Sequence, residues 1–191
     1  MDTVATGTQH ELFEKHSGTI KDAVNAIHTR EFYAKYIEAP SKRVYGENAK
    51  KEGVEAFKAQ LGGTYELRQT ANQGLEAAEE SPYTREKLNI TYPSFDNPAR
   101  YMEESERVWE EWRKANVYTR AGLLVESLDR ISKRFFELCF ATMHTTGQGF
   151  MMAFQAGAPH AQGRGLEAVA YAYDEISNVP ETTGWEKPKG K

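Results

Sequence analysis

Cysteine is almost missing from this chain of 191 residues: Cys139 stands alone. A lone thiol excludes an internal disulfide and fits a reducing compartment. Positive charge is also short, with 24 Lys and Arg against 28 Asp and Glu, a net charge of −4 and a pI near 5.8. Phosphate backbones need a clustered basic surface, so nucleic acid is excluded as the main partner. Long apolar runs are missing too. Nothing approaches the roughly 18–20 residues of a membrane span. The opening stretch MDTVATGTQHELFEK lacks the apolar core of a signal peptide. These absences describe a soluble, cytoplasmic protein with no membrane partner. Hydrophobic residues make up 39% and mean hydropathy is −0.70, which implies a modest core or a surface that expects a partner. A chain this long buries roughly 70% of its unfolded surface and needs no metal to fold.

Catalytic patterns are equally scarce. There is no G-x-S-x-G, no P-loop and no C-x-x-C pair. The five histidines, His10, His16, His28, His144 and His160, lack the i, i+4 spacing or close Cys/His clustering of zinc sites, so no metal site is expected. Cys139 sits between Leu138 and Phe140 on an apolar arc, the setting of a buried structural thiol rather than a nucleophile. The acids from Glu103 to Glu111 fit the wet side of an amphipathic helix. Gly163-Arg164-Gly165-Leu166-Glu167-Ala168 matches the dinucleotide pattern G-x-G-x-x-A. That pattern functions only between a strand and a helix, and AGAPHAQ before it is no strand. No catalytic or cofactor-binding residue is assigned.

What is present is helical periodicity. Leu12, Phe13, His16, Ile20, Val24 and Ile27 share one face of a first helix, with Thr8 and Glu11 as a capping box and residues 1–9 frayed ahead of it. From Thr29 to Gly46 the period fails, and Phe32, Tyr33, Tyr36 and Tyr45 read as loop aromatics packed on neighbouring helices. A short helix spans Glu47 to Leu61 and stops at Gly62-Gly63. Residues 64–98 read as irregular, with Lys87–Tyr92 as the best strand. Asn97 and Pro98 open a helix whose stripe is Met102, Val108, Trp109 and Trp112. After a link at Asn116–Thr119, one long helix carries Ala121, Leu124, Leu128, Ile131, Phe135, Leu138 and Thr142, forming an antiparallel hairpin with its predecessor. A glycine-rich polar bend follows, then a helix marked by Leu166, Val169, Ala170, Tyr173 and Ile176. The bend is the first place to look for a ligand, and Arg164 near a helix start could hold an anion.

The stretch VWEEWRKANVYTRAGLLVESLDRISKRFFELCFATMHTTGQ resembles the N-terminal helical region of the aldehyde dehydrogenase superfamily over residues 97–176. Trp112-Arg113, Arg120 and Thr146-Gly147-Gln148 stand where that superfamily has W-R, R and an E-x-G-K-like close; Thr145 and Gln148 replace the usual acid and lysine. VYGENAKKEGVEAFKAQLG, SPYTREKLNITYP, MHTTGQGFMMAFQAGAPHAQGRGLEAVAYAY and WEKPKGK resemble the PaaN branch, the phenylacetic acid degradation proteins. The resemblance implies NAD- or NADP-dependent oxidation of a CoA-linked ring-cleavage semialdehyde. The chemistry would be thiohemiacetal formation on a cysteine, hydride transfer and thioester hydrolysis. The family's nucleophilic cysteine, glutamate base and Rossmann motif lie beyond Lys191, so this chain alone is expected to be inactive and to bind no cofactor.

The expected fold is therefore mainly α, with at most one or two short strands, the helical N-terminal region of an α/β protein. Residues 1–96 form a helical and irregular extension, 97–178 the dehydrogenase-like helical region, and 179–191 a linker toward a missing cofactor-binding domain. Partners would be the missing C-terminal domains, with homo-oligomerisation of the complete protein. Phe154, His160, Gln162 and Arg164 are candidates for one wall of the substrate entrance. The alternative is a free-standing, catalytically silent binding or adaptor module. A large exposed apolar face favours the fragment over the finished module.

Overall fold

The computed structural model describes residues 4–65, 73–94, 98–180 and 182–189. Its elements run α1 (Val4–Thr29), α2 (Lys42–Tyr45), α3 (Ala49–Lys58), β1 (Gln73–Glu76), β2 (Thr91–Ser94), α4 (Pro98–Trp112), α5 (Val117–Ser132), α6 (Phe135–Thr146), α7 (Phe150–Gly157) and α8 (Pro159–Ser177). The fold is mainly α, with a two-stranded antiparallel ribbon. Gly74 faces Pro93 and Leu75 faces Tyr92 across it.

The core sits where α1, α5 and α8 pack on one another and α6 and α7 close the end. α1 buries Ile20 and His16 as its period requires. It begins at Val4 rather than after Thr8, so Thr8 is not its cap and residues 4–9 are helical. At its crossing with α5, Gly122 lets the two backbones nearly touch: a Cβ there would lie 2.6 Å from the Phe13 amide nitrogen. Gly53 does the same for α3 on α6, where a Cβ would lie 2.3 Å from Phe136 Cβ. At these approaches any larger residue must push the paired backbones apart.

Glu126 on α5 is buried against α1. It accepts hydrogen bonds from Lys15 Nζ at 2.7 Å and Arg130 Nε at 2.8 Å, and pairs with His16 Nε2 at 2.6 Å. Those partners, Lys15 first, hold its carboxyl well below the usual carboxylate range. A carboxylate is tolerated out of water only when so satisfied. Glu137 on α6 is similarly satisfied by Arg134 at 2.7 and 2.5 Å and by the Gln60 amide.

Several local expectations are corrected. Residues expected as one long helix are two, because the chain turns at Lys133–Arg134, where Arg134 takes φ −113°, ψ 15°. The turn re-aims Phe135 and Phe136 into an aromatic cluster with Tyr45 and Phe154, with Phe136 and Phe154 centroids 4.8 Å apart. Within α5 the buried face is Ala121, Gly122, Val125 and Glu126, so Leu124 and Ile131 of the expected stripe point away from it, 44% and 38% exposed. α3 is shorter at both ends than expected, and Gly62, at φ +71°, follows it. The strand lies at Thr91–Ser94 rather than Lys87–Tyr92. The alternation that suggested it is real, since Leu88 and Ile90 are buried in a second small core under α3. Its partner strand is β1, within the chain.

α4 departs most. It buries none of its residues, and Met102, Val108 and Trp109 are 66%, 45% and 55% exposed. Among the described residues no helix packs along it, so the α4–α5 hairpin does not form. Its C-terminal end is tied down: Arg120 donates to the Trp112 and Arg113 carbonyls at 3.2 Å and lies over the Trp112 ring. Asn116 caps α5 by accepting from the Thr119 amide at 2.9 Å. The Asn97 cap expected for α4 falls outside the described residues.

Candidate functional site

The glycine-rich stretch is helical rather than a bend. Among its glycines Gly147 alone takes a positive φ, +73°, as the C-cap of α6, and the chain turns again at Ala158 between α7 and α8. Pro82 packs where the Gly147 Cβ would be, and the Tyr83 hydroxyl donates to the Gly147 carbonyl. Gly157 lies within α7, and Gly163 and Gly165 lie within α8. Helical glycines permit close packing, here of Gly165 on Leu128 and Gly157 on Thr142.

Folding nevertheless builds a groove beside this stretch. It has a volume of about 620 Å³ and runs between the first turns of α8, the last turns of α1 and the loop 30–38. Ala23, Ile27 and Leu166 give it apolar walls, Arg30, Lys35 and Arg164 line it with cations, and His160 adds an imidazole. That size lies within the range of small-molecule sites.

His160 and Arg164 line this groove together. His160 Nδ1 pairs with Glu38 Oε1 at 2.9 Å, tying α8 to the loop. Arg164 donates to Glu167 Oε2 at 2.5 Å, one helical turn on. Phe154 is not on the groove: it is fully buried among Tyr45, Phe135, Phe136 and Phe150. Gln162 is also off the groove, and its Oε1 is buried without a hydrogen-bond partner.

The opposite wall escaped sequence reasoning. Arg30, Phe32, Lys35 and Glu38 lie in a segment without periodicity, and its aromatics were expected to pack. Tyr36 does, at 5% exposed, and burial raises its phenol above the ordinary range. Phe32 does not, at 93% exposed. The signal was present: four aromatics within a segment that follows no helical or strand period need some other reason to be there.

Two further titratable side chains, Cys139 and His144, are built into the core. Cys139 is fully buried, its thiol directed to the Phe150 carbonyl at 3.6 Å, and burial pushes its pKa up to about 11. His144 is buried against the Phe57 ring. Among the described residues no three metal-ligating side chains gather, and no helix is long and apolar enough to cross a membrane. A nicotinamide dinucleotide does not fit the G-x-G-x-x-A run either. Gly163 to Ala168 sit inside α8, where their amides serve the helix ladder and no strand delivers a pyrophosphate to them.

No protein-family model matches the chain, and no curated protein matches it. Among solved structures the chain is similar to the crystal structure of an NAD-dependent aldehyde dehydrogenase from Burkholderia multivorans, with 45% identity and a TM-score of 0.85. The match covers 94% of this chain and 32% of that one, so the chain spans about a third of that enzyme's length. Shared sequence and shared fold over nearly the whole chain support its kinship with the aldehyde dehydrogenase superfamily.

Proposed function

We propose that this chain is the N-terminal part of a PaaN-type aldehyde dehydrogenase. The whole protein would oxidise a CoA-linked ring-cleavage semialdehyde during phenylacetate breakdown, with NAD as the first choice over NADP. The observation that carries the reading is the 45% identity to an NAD-dependent aldehyde dehydrogenase over 94% of the chain. The uncovered apolar stripe of α4 supports it, because a helix with Trp109 and Met102 in water lacks the partner that would stabilise it. Cofactor and nucleophile belong to the part of the enzyme outside this chain, which also supplies the partner domains and any homo-oligomer contacts. Within this chain, His160 and Arg164 would stand at the substrate entrance and orient the incoming thioester, while Phe154 and Gln162 would hold that wall from behind. A reducing, cytoplasmic setting agrees with the unpaired Cys139.

The test is a chimaera. This chain replaces the matched segment of the Burkholderia enzyme, and NADH formation is followed with a CoA-linked semialdehyde. We expect turnover, and a raised KM when His160 and Arg164 are changed to alanine. A chimaera that folds and binds NAD but oxidises no aldehyde would overturn the dehydrogenase reading. Turnover with simple aldehydes and none with the thioester would overturn the PaaN assignment alone. The groove favours a second reading, a catalytically silent binding module, which the same chimaera tests by remaining inactive.

A further inference from the structure

The lip of the groove carries features that packing does not require. Arg30 ends α1 at φ +62°, a left-handed conformation that glycine adopts freely and arginine does not. Phe32, two residues on, stands 93% exposed on the same lip and gains nothing from burial there. Lys35 continues the lip, and neither Arg30 nor Lys35 forms an ion pair among the described residues.

The polar side chains of the facing wall are already paired. His160 holds Glu38 at 2.9 Å and Arg164 holds Glu167 at 2.5 Å. Glu31 is the remaining carboxylate of the groove, with the Thr29 hydroxyl 3.5 Å away. The uncommitted side chains are thus the cations Arg30 and Lys35 against Glu31. The first turn of α8, which no side chain caps, adds the positive end of a helix.

We propose that this groove binds a ligand combining a flat ring with a phosphate, in chemical class a nucleotide. Its ring stacks on Phe32, its phosphate is held by Arg30 and Lys35, and its sugar lies over the apolar floor of Ala23 and Ile27. An exposed aromatic beside unpaired cations is the arrangement that takes such a ligand through stacking and charge together. The proposal does not rest on the dehydrogenase kinship.

Calorimetric titration of the whole chain tests it with ADP, adenosine and inorganic pyrophosphate as probes. Two variants keep the fold out of the question. Arg30→Gly removes the guanidinium and relieves the strained backbone. Phe32→Ala removes a ring that touches little. Saturable ADP binding at one site is expected, with adenosine and pyrophosphate each weaker. Either variant should weaken ADP about tenfold, and added salt should weaken the wild type more than Arg30→Gly. No saturable ADP binding, or equal affinity in both variants and the wild type, would overturn the proposal. Pyrophosphate binding as tightly as ADP would remove the ring from it.

Discussion

Replacing Gly122 with alanine sets two effects of known size against each other. Alanine is the better helix former by about 1 kcal/mol, so propensity alone makes Gly122→Ala stabilising. Packing opposes it. The new Cβ would lie 2.6 Å from Phe13 N, 2.8 Å from its Cα and 3.0 Å from the Leu12 carbonyl carbon, against 3.4–4 Å for ordinary contact. All of these are backbone atoms, so no side chain can swing aside. α1 must retreat by roughly 0.8 Å or more, loosening Ile20, Val125 and the His16–Glu126 pair. Overpacking of this kind costs about 1–3 kcal/mol, and an interface of two rigid helices belongs toward the top of that range. The net expectation is a loss of about 1–2 kcal/mol, or a fall in Tm of about 3–6 °C for a chain of this size. Gly18→Ala is the control: it also lies within α1, with nothing within 4 Å of the added carbon. It should gain up to about 1 kcal/mol. Urea unfolding followed by circular dichroism gives both values, provided the m-values agree. Opposite signs are required; if Gly122→Ala is as stable as Gly18→Ala, the close α1–α5 approach is wrong.

Four further outcomes follow from the same packing. Glu126 and Glu137 both sit below the ordinary carboxylate pKa of 4.5 when folded, so their stabilisation is complete above that value and is lost as pH falls below it. Glu126→Gln should cost about 1–3 kcal/mol at neutral pH and flatten the acid limb of stability against pH; an unchanged limb refutes the role given to the cluster. Cys139 should resist a disulfide reagent at pH 8, since a thiol near 11 is roughly a thousandth ionised there, and should react fully in denaturant; fast native labelling would place it at the surface. Phe154→Ala should cost about 3–5 kcal/mol, measured by the same urea titration. Trp109→Ser should change stability by less than about 0.5 kcal/mol and reduce self-association in sedimentation velocity; a loss of about 3 kcal/mol would show that α4 is covered in the isolated chain.

Legibility in the sequence followed the kind of information each feature needs. Ile20, Leu166 and Ala170 were recoverable because their burial follows the 3.6-residue period of the helix that carries them. The Leu88 and Ile90 alternation was visible, although the strand itself lies further along, because alternation reports which side is wet and not which backbone groups find a ladder. The break at Lys133–Arg134 was invisible. Both halves have helical periods, and neither proline nor glycine marks the join. After it, Phe135 and Phe136 meet the rings of Phe154 and of Tyr45, the latter 90 residues away, and such contacts leave no local signal in the sequence. The same limit applies to the site. His160 and Arg164 stood out as polar residues near glycines, but Arg30, Phe32 and Lys35 meet them only because α1 returns alongside α8.

By itself the sequence determined the helical character and the burial of the lone thiol, both properties of residue type and local spacing. Tertiary structure alone decided which apolar stripes are covered, where Gly122 and Gly53 let backbones touch, and that two distant segments enclose a groove. Those outcomes depend on which surfaces meet. A helical period specifies that a face must be covered; it does not specify by what, and among the described residues no helix packs along α4.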